Sequence, residues 1–261
     1  MSHLTAAAIS RYLPADSPWS LDVRECVEST NTLMKATSQE LPTGAVLIAD
    51  RQTAGRGRMT RAFFSPPRCG LYISMLLRPQ VSAAEGLLFT PAAAVAAAEA
   101  IEEVCGISVG IKWVNDLMLN GRKVGGILTE STLTEEGKIA SVIVGIGINV
   151  YPPREGYPSE LEGIAASLFA DTSGEDIRPH LCAALLTRCA DLMLPLPEGR
   201  FLGEYRRRSL VLGRCVTLLP GGEQVVVEEI DDACRLIVRD GAGTLRTVFS
   251  GECSLRADFR P

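Results

Sequence analysis

A glycine- and arginine-rich loop carries the most distinctive chemistry in the sequence. It reads QTAGRGRMTR over residues 52–61, where Gly55 and Gly57 allow the backbone to turn tightly and approach a ligand. The loop also carries three guanidinium groups, each with several hydrogen-bond donors, at Arg56, Arg58 and Arg61. The pattern predicts a local site for an anion such as phosphate or carboxylate, with a solvated arginine loop as the alternative. It matches neither the P-loop nor the dinucleotide-binding glycine pattern.

Two later segments combine charged and amide side chains with glycine. KWVND (112–116) places a cation, an indole, an amide and a carboxylate directly after a predicted strand, where polar groups suit the rim of a pocket. KVGGIL (123–128) places Lys123 before paired glycines, which permit close approach of a ligand or a strand. Structural alternatives stay open for both segments: Trp113 in the core, Asp116 as a turn cap, and the glycines at a β-bulge.

Two further segments supply neutral polar groups. Ser29, Thr30 and Asn31 precede a run with helical spacing, so they cap a helix whose first amides could also hold a neutral polar ligand group. GIGINV (145–150) ends a buried strand with alternating glycines and Asn149. Capping alone, and tight packing of the strand against a helix, are the structural alternatives.

Composition restricts the class of protein. The 261 residues are 46% hydrophobic and 22% charged with a net charge of −5, which is typical of a globular chain and excludes disordered, collagen-like and coiled-coil proteins. An acidic balance argues against DNA as a partner. No apolar run approaches the roughly 20 residues that cross a bilayer, and the N-terminus lacks a signal-peptide core. We therefore expect a cytoplasmic protein without a membrane partner.

The cysteine pattern argues against a bound metal. Eight cysteines are scattered without a C-x-x-C pair, and only two histidines accompany them. Since a zinc site needs clustered ligands, we expect reduced packing thiols and no metal fixed by protein side chains.

The elements that must position these segments form an α+β pattern. Apolar runs predict strands at 20–26, 45–50, 71–77, 109–113, 116–119, 124–132 and 139–150, and the turn sequences NGRK and EEGK predict antiparallel neighbours. After an irregular start, helices are predicted after the Ser29 cap, over 82–106, and at about 175–193 and 200–211. Short strands after Gly213 predict a small β-barrel, with a domain boundary near Leu212.

The order of these segments resembles that of biotin protein ligases, the biotin–[acetyl-CoA carboxylase] ligases or holocarboxylase synthetases, from about residue 20 onward. The segments are STNT (29–32), QTAGRGRMTR (52–61), FFSPPRCGLYISMLLRP (63–79), KWVNDLML (112–119), KVGGILTE (123–130), GIGINV (145–150) and SGECSLR (250–256). The resemblance implies a class II synthetase-like catalytic domain, with helices on a mixed, mostly antiparallel sheet, over 1–212. It implies an SH3-like β-barrel over 213–261.

The resemblance also implies a reaction in two steps. The carboxylate of biotin attacks the α-phosphorus of ATP to give biotinyl-5′-AMP, and a lysine of the biotin carboxyl carrier protein then takes the biotinyl group. The substrate carboxylate is the nucleophile in the first step, so the enzyme supplies positioning and positive charge. Mg²⁺ is expected to be held mainly by the triphosphate.

The resemblance assigns roles residue by residue. Biotin is expected to contact Ser29, Thr30, Asn31, Gln52, Arg56, Gly57, Arg58 and Lys123. ATP or the adenylate is expected to contact Arg58, Arg61, Phe63, Asn115, Lys123 and Asn149, with Glu252 and Arg256 bordering the nucleotide side. The catalytic residues are expected to be Lys123 as the main electrostatic catalyst, Arg58, and Asp116, which would orient the acceptor lysine or take its proton.

The sequence departs from the family pattern at three positions, all outside the charged set. Thr60 stands where glycine is usual, Phe63 where tryptophan is usual, and Val114 where proline is usual. About twenty residues precede the first matching strand, so we expect no operator-binding helix-turn-helix. A lipoyl or octanoyl transfer enzyme on the same scaffold and a non-catalytic biotin-binding module are the alternatives. The pattern leaves a monomer or a homodimer open.

Overall fold

A mixed sheet of seven strands forms the centre of the larger part of the protein. The computed structural model describes residues 4–172 without the Thr60 side chain, 174–196, 199–219 and 221–249, and the backbone of 254–256. The strands are β1 Ser20–Val27, β2 Ala45–Gln52, β3 Gly70–Leu77, β4 Gly110–Lys112, β5 Asp116–Leu119, β6 Arg122–Leu133 and β7 Ile139–Asn149. Their order is β1-β2-β3-β7-β6-β5-β4, with β1 and β2 parallel and the other neighbours antiparallel. The predicted strands are confirmed.

Helices cover the two faces of this sheet unequally. They are α1 Ala6–Ser10, α2 Thr30–Thr37, α3 Ala83–Gly86, α4 Phe89–Cys105, α5 Arg178–Met193 and α6 Leu202–Arg208. The buried, alanine-rich α4 packs against α5 and against the sheet, whereas α2 packs on β2, β3 and β7. The short α2 therefore leaves room on its face for a pocket.

Two predictions about the helices are wrong in detail. The first twenty residues are not wholly irregular, because Thr5 caps the short α1. The helix predicted over 82–106 is broken at Leu87 and Leu88: Ser82 and Glu85 form a capping box on α3, and α4 begins afresh at Phe89. Gly106 ends α4 in the left-handed conformation, as predicted.

The segment Ala83–Cys105 also corrects an expectation about apolar runs. Its 23 residues reach a mean hydropathy of 1.3 over an 18-residue window, so it is long and apolar enough to cross a bilayer, contrary to the expectation. However, 67% of that window is buried inside the protein, as in the core helix of a globular domain.

A second, antiparallel sheet of five strands follows. It contains β8 Cys215–Leu219, β9 Glu223–Ile230, β10 Leu236–Arg239, β11 Leu245–Val248 and β12 Ser254–Arg256, in the order β11-β10-β9-β8-β12. Buried side chains of this sheet, such as Val216 and Leu236, join the same hydrophobic core as those of the larger sheet. The α+β fold class with a small C-terminal β unit is therefore confirmed.

A buried ion pair ties α5 to the larger sheet. Arg178, which is 2% exposed, donates from Nη1 to Asp50 at 2.7 Å and from Nη2 to Asp176 at 2.7 Å. Burial alone would lower the pKa of Arg178, but the hydrogen bonds and charges of the two carboxylates raise it above its ordinary value. The guanidinium therefore stays charged and holds the end of β2 against α5.

Candidate active site

A pocket lies on the face of the larger sheet that carries α2. The start of α2, the loop after β2, and strands β6 and β7 all contribute to it. Its lining includes Ser29, Thr30, Asn31, Gln52, Arg56, Gly57, Arg58, Phe63, Tyr72, Asn115, Lys123, Gly126, Gly145 and Gly147. The structure thus brings every residue predicted to contact biotin into one pocket.

Glycines of β7 make the space for two of these side chains. Gly145 lies opposite Ser74 and Leu128 on the neighbouring strands, and the side chain of Asn31 lies directly over it. A Cβ on Gly147 would come within 2.6 Å of the Phe63 ring. The alternating glycines of GIGINV are therefore explained by close approach of side chains that line the pocket.

Neutral hydrogen bonds hold the first turn of α2. The backbone N–H and the hydroxyl of Thr30 both donate to Oε1 of Gln52, at 2.8 and 3.1 Å. Gln52 in turn donates to the hydroxyl of Ser65 at 2.8 Å. Ser29 caps α2 by accepting from the N–H of Thr32, as predicted. This part of the pocket is polar but carries no charge, because amides and hydroxyls make up the network.

Glu130 forms a second network that the sequence analysis did not identify. Asn31 donates to Oε2 of Glu130 at 3.0 Å and to the carbonyl of Leu128 at 3.2 Å, while its Oδ1 accepts from Ser74 at 2.6 Å. Arg56 donates to Glu130 at 3.3 Å, and the ammonium of Lys35 lies 3.7 Å away. Glu130 thus joins the loop after β2, α2 and β6. The only sequence signal for a role of Glu130 was its position at the end of the KVGGILTE segment.

Arg58 is held by Asn115. Nη1 of Arg58 donates to Oδ1 of Asn115 at 3.0 Å, and Nδ2 of Asn115 donates to the carbonyl of Ile127 at 3.0 Å. The loop itself closes on the hydrogen bond from the N–H of Gly57 to the carbonyl of Arg61, at 2.7 Å. The loop therefore presents Arg58 to the pocket while most of its length stays exposed.

Lys123 and Asp116 form an ion pair beside the pocket. Nζ of Lys123 donates to Oδ1 of Asp116 at 2.6 Å, and the two side chains are 33% and 28% exposed. The backbone of Lys123 bonds to the segment that follows β7, donating to Ile164 and accepting from Ala166. Asp116 is thus an ion-pair partner rather than only a turn cap.

Other predicted residues lie elsewhere. Arg61 and Asn149 are not in the pocket lining, and Asn149 donates to the carbonyl of Ala166 at 3.0 Å. Glu252 and the side chain of Arg256 lie outside the described residues. Trp113 is buried and donates to the carbonyl of Cys234, which confirms the structural alternative for this residue.

The arrangement can bind an anion next to a neutral polar group. Among the residues that the structure describes, the pocket lining contains neither cysteine nor histidine, and no cluster of three His, Cys, Asp or Glu side chains could hold a metal ion. Cys69, directly before β3, lies outside this lining, and burial raises the pKa of its thiol. Positive charge from Arg56, Arg58 and Lys123 is the chemistry that these side chains offer.

Comparison with known proteins gives matches along most of the chain. The model of the biotin/lipoate A/B protein ligase family matches residues 23–149, and that of the biotin protein ligase C-terminal domain matches residues 211–256. The bifunctional ligase/repressor BirA of Bacillus spizizenii is 43% identical over 155 residues, which are 59% of this chain and 47% of that protein. This chain thus spans about half the length of that relative.

Two other relatives match over nearly their whole length. The biotin–[acetyl-CoA-carboxylase] ligase of Paracoccus denitrificans is 38% identical over 225 residues, covering 83% of this chain and 92% of that protein. The structure of a biotin protein ligase from Aquifex aeolicus in complex with biotin and ATP is similar with a TM-score of 0.74 and 30% identity. That similarity covers 91% of this chain and 98% of the other.

Proposed function

The chain belongs to the biotin protein ligase family, and on that premise we propose that it activates biotin with ATP and transfers it to a lysine of a biotin carboxyl carrier protein. The acceptor would be the carrier of acetyl-CoA carboxylase or of a related carboxylase. One observation carries the proposal: a single pocket combines a neutral hydrogen-bonded group with the cations Arg56, Arg58 and Lys123. Biotin has a neutral cyclic urea at one end and a carboxylate at the other, so the pocket matches both.

Ser29, Thr30, Asn31 and Gln52 would line the ureido end. Hydroxyls and amides suit a cyclic urea because a charge there would be buried without a partner. The polar atoms of Asn31 already form hydrogen bonds with Ser74, Leu128 and Glu130. Asn31 would therefore contact biotin through the shape of its side chain rather than through a new hydrogen bond. Arg56 and Gly57 would close the loop over the bound vitamin.

Lys123 and Arg58 would stabilise the first step electrostatically. A carboxylate oxygen of biotin attacks the α-phosphorus of ATP, the bond from that phosphorus to the bridging oxygen breaks, and pyrophosphate leaves. Negative charge is spread over the phosphoryl oxygens in the transition state, so fixed cations lower the barrier. The bond from Arg58 to Asn115 and the ion pair of Lys123 with Asp116 would pre-organise both cations.

Asp116 would act in the second step. The neutral amine of the acceptor lysine attacks the carbonyl carbon of biotinyl-5′-AMP, the bond from that carbon to the phosphate oxygen breaks, and AMP leaves. The nitrogen then releases a proton. A carboxylate beside the pocket can orient the amine or take that proton.

The nucleotide side would involve Phe63, Asn115, Arg61 and Asn149. The Phe63 ring lies edge-on to Tyr72 with centroids 6.3 Å apart and could pack on a base. Arg61 and Asn149 lie outside the pocket lining and would serve only the nucleotide. Mg²⁺ would arrive bound to the phosphates of ATP, because Mg²⁺ in such sites is held largely by substrate phosphates and water.

The proposal extends to the organisation of the protein. We assign residues 1–212 to the catalytic domain and 213–261 to a C-terminal β domain, because the second sheet begins at Cys215. We place the enzyme in the cytoplasm, as a monomer or homodimer. The lack of an operator-binding role stays a prediction from the sequence.

An exchange assay tests the activity. Purified protein is incubated with ATP, Mg²⁺ and labelled pyrophosphate, with biotin, with lipoate or without either acid. We expect biotin alone to stimulate exchange of label into ATP, and an apo carrier domain to become biotinylated when added. Stimulation by lipoate would favour the lipoyl alternative, and binding of biotin without exchange or transfer would favour a non-catalytic module. Either result would overturn the proposal.

A further inference from the structure

The KWVND segment touches the C-terminal sheet as well as the pocket. Nε1 of Trp113 donates to the carbonyl of Cys234 at 2.7 Å, and Trp113 is 5% exposed. Cys234 lies in the turn between β9 and β10, and it is 3% exposed. This hydrogen bond therefore lies in the buried contact between the larger sheet and the second sheet.

The turn that offers this carbonyl is itself fixed. Asp231 accepts from the backbone N–H groups of Ala233 and Arg235, at 3.0 and 2.8 Å, and pairs with the Arg235 side chain at 2.7 Å. Cys234 has a φ of 56°, in the left-handed region that non-glycine residues seldom adopt. The turn thus keeps an uncommon conformation in which the Cys234 carbonyl accepts the indole hydrogen bond.

The residues after Trp113 connect the same segment to the pocket. The carbonyl of Val114 accepts from the hydroxyl of the buried Tyr205 of α6, at 3.1 Å. Burial raises the pKa of Tyr205 well above its ordinary value, and the nearby charge of Arg58 opposes that rise. Asn115 follows and binds Arg58, and Asp116 follows and pairs with Lys123. Consecutive residues therefore run from the second sheet to two of the three cations of the pocket, Arg58 and Lys123.

We propose that Trp113 is a positioning residue through which the C-terminal sheet sets the geometry of Arg58 and Lys123. The hydrogen bond to Cys234 anchors one end of the 113–116 segment, and the cations depend on the other end. Loss of the anchor would leave biotin binding largely intact but would misplace the cations during adenylate formation. The inference rests on the proposed function, since it concerns the rate of that step.

Trp113→Phe and Trp19→Phe form a matched pair for the test. Trp19 is also buried and also donates to a backbone carbonyl at 2.7 Å, that of Leu186, but its partner lies in α5 and not in the second sheet. Each substitution removes one indole N–H and keeps an aromatic ring. A general effect on folding would therefore appear in both variants, whereas an effect on the cations would appear in one.

The readouts separate positioning from stability. We expect Trp113→Phe to lower kcat of biotin-dependent ATP–pyrophosphate exchange about tenfold, the size expected for one lost hydrogen bond to a group fixed for the transition state. We expect KM for biotin to change less than about threefold, because loss of an interaction made mainly in the transition state lowers kcat and leaves KM nearly unchanged. Trp19→Phe should keep wild-type kcat. Asp231→Ala, which loosens the turn without touching the core, should lower kcat in the same direction.

The remaining outcomes distinguish failure of this inference from failure of the proposed function. Wild-type kcat in Trp113→Phe, or an equal loss in both tryptophan variants, would overturn the inference and leave the proposed function standing. Should Trp113→Phe fail to fold, unchanged kcat in Asp231→Ala would overturn it instead. No biotin-dependent exchange by the wild-type protein would remove the proposed function itself.

Discussion

The ammonium group of Lys123 lies 2.6 Å from a carboxylate oxygen of Asp116, although Lys123 belongs to β6 and Asp116 begins β5. A shift in register between these antiparallel strands lies next to the pair, at Leu117 and Met118. Both side chains are partly exposed, so each stays accessible to a ligand. The pair therefore places the carboxylate of Asp116, which lies outside the pocket lining, directly beside a cation that belongs to that lining.

Lys123→Ala should greatly lower adenylate formation while biotin still binds. Removing one pre-organised electrostatic group typically costs about 10²–10³ in rate, and the neutral part of the pocket would be unchanged. Single-turnover formation of biotinyl-5′-AMP and calorimetric binding of biotin measure the two effects. Arg122→Ala, at the exposed neighbouring position, is the matched control and should retain activity. Wild-type turnover in Lys123→Ala would remove the assigned role.

Arg58→Gly should let biotinyl-5′-AMP escape before transfer. The side chain that reaches from the loop to Asn115 would be absent, so the loop would lose one of its contacts with the rest of the pocket. Released adenylate acylates amines without selection, and diffuse labelling of bystander lysines would report it by mass spectrometry. Arg51→Gly, at an exposed position of β2, controls for loss of an arginine. Unchanged labelling specificity in Arg58→Gly would argue against a retaining loop.

The sequence predicted most of the sheet and the members of the pocket, but it did not predict how they are connected. Apolar runs and turn residues are local signals, so the strands and the helix cap at Ser29 could be predicted from the sequence. Glu130 was missed because its partners Asn31 and Arg56 come from distant parts of the chain and meet it only once β6 pairs with β7. The break before Phe89 was missed because the alanine-rich composition on both sides favours helix, although Gly86 and Pro91 flank the break and favour an interruption there.

Glu130→Gln should loosen the loop in the absence of biotin. Glutamine can still accept from Asn31, but the charge that attracts Arg56 and Lys35 is lost. We expect faster amide hydrogen exchange over residues 53–59. Biotin affinity should fall at most about fivefold, because the Arg56 side chain is 47% exposed and a screened ion pair of this kind contributes about 1 kcal/mol or less. Glu135→Gln, in an exposed turn, is the matched control. Equal exchange in wild type and Glu130→Gln would contradict the assigned contact.

Stability should fall in alkaline solution partly through Cys105. Burial raises the pKa of its thiol to about 11, from 9.0 in an unfolded chain. The neutral thiol is therefore favoured in the folded state, so its contribution is complete below pH 9 and is lost as the pH rises toward 11. We expect Tm to fall less steeply between these pH values in Cys105→Ala than in wild type. Parallel pH profiles would show that this thiol ionises equally in both states.

Gly145→Ala should displace the Asn31 side chain, which lies over Gly145 in the pocket. A Cβ at this position would collide with Oδ1 of Asn31, whose side chain is fixed by Ser74, Leu128 and Glu130 and cannot move without breaking those bonds. Displacing Asn31 leaves buried polar groups unpaired, so we expect a loss of about 1–3 kcal/mol in the free energy of unfolding.

The same variant should bind biotin more than about tenfold more weakly, because one unpaired buried polar group costs about that much in binding. Gly203→Ala is the control. Gly203 is an exposed residue of α6, and no atom lies within 4 Å of the position that its Cβ would take. This variant should be neutral or slightly stabilising because alanine favours helix. Urea denaturation and calorimetry on both variants measure the two effects. If Gly145→Ala bound biotin as the wild type does, Asn31 would not form a wall of the vitamin pocket, whatever its effect on stability.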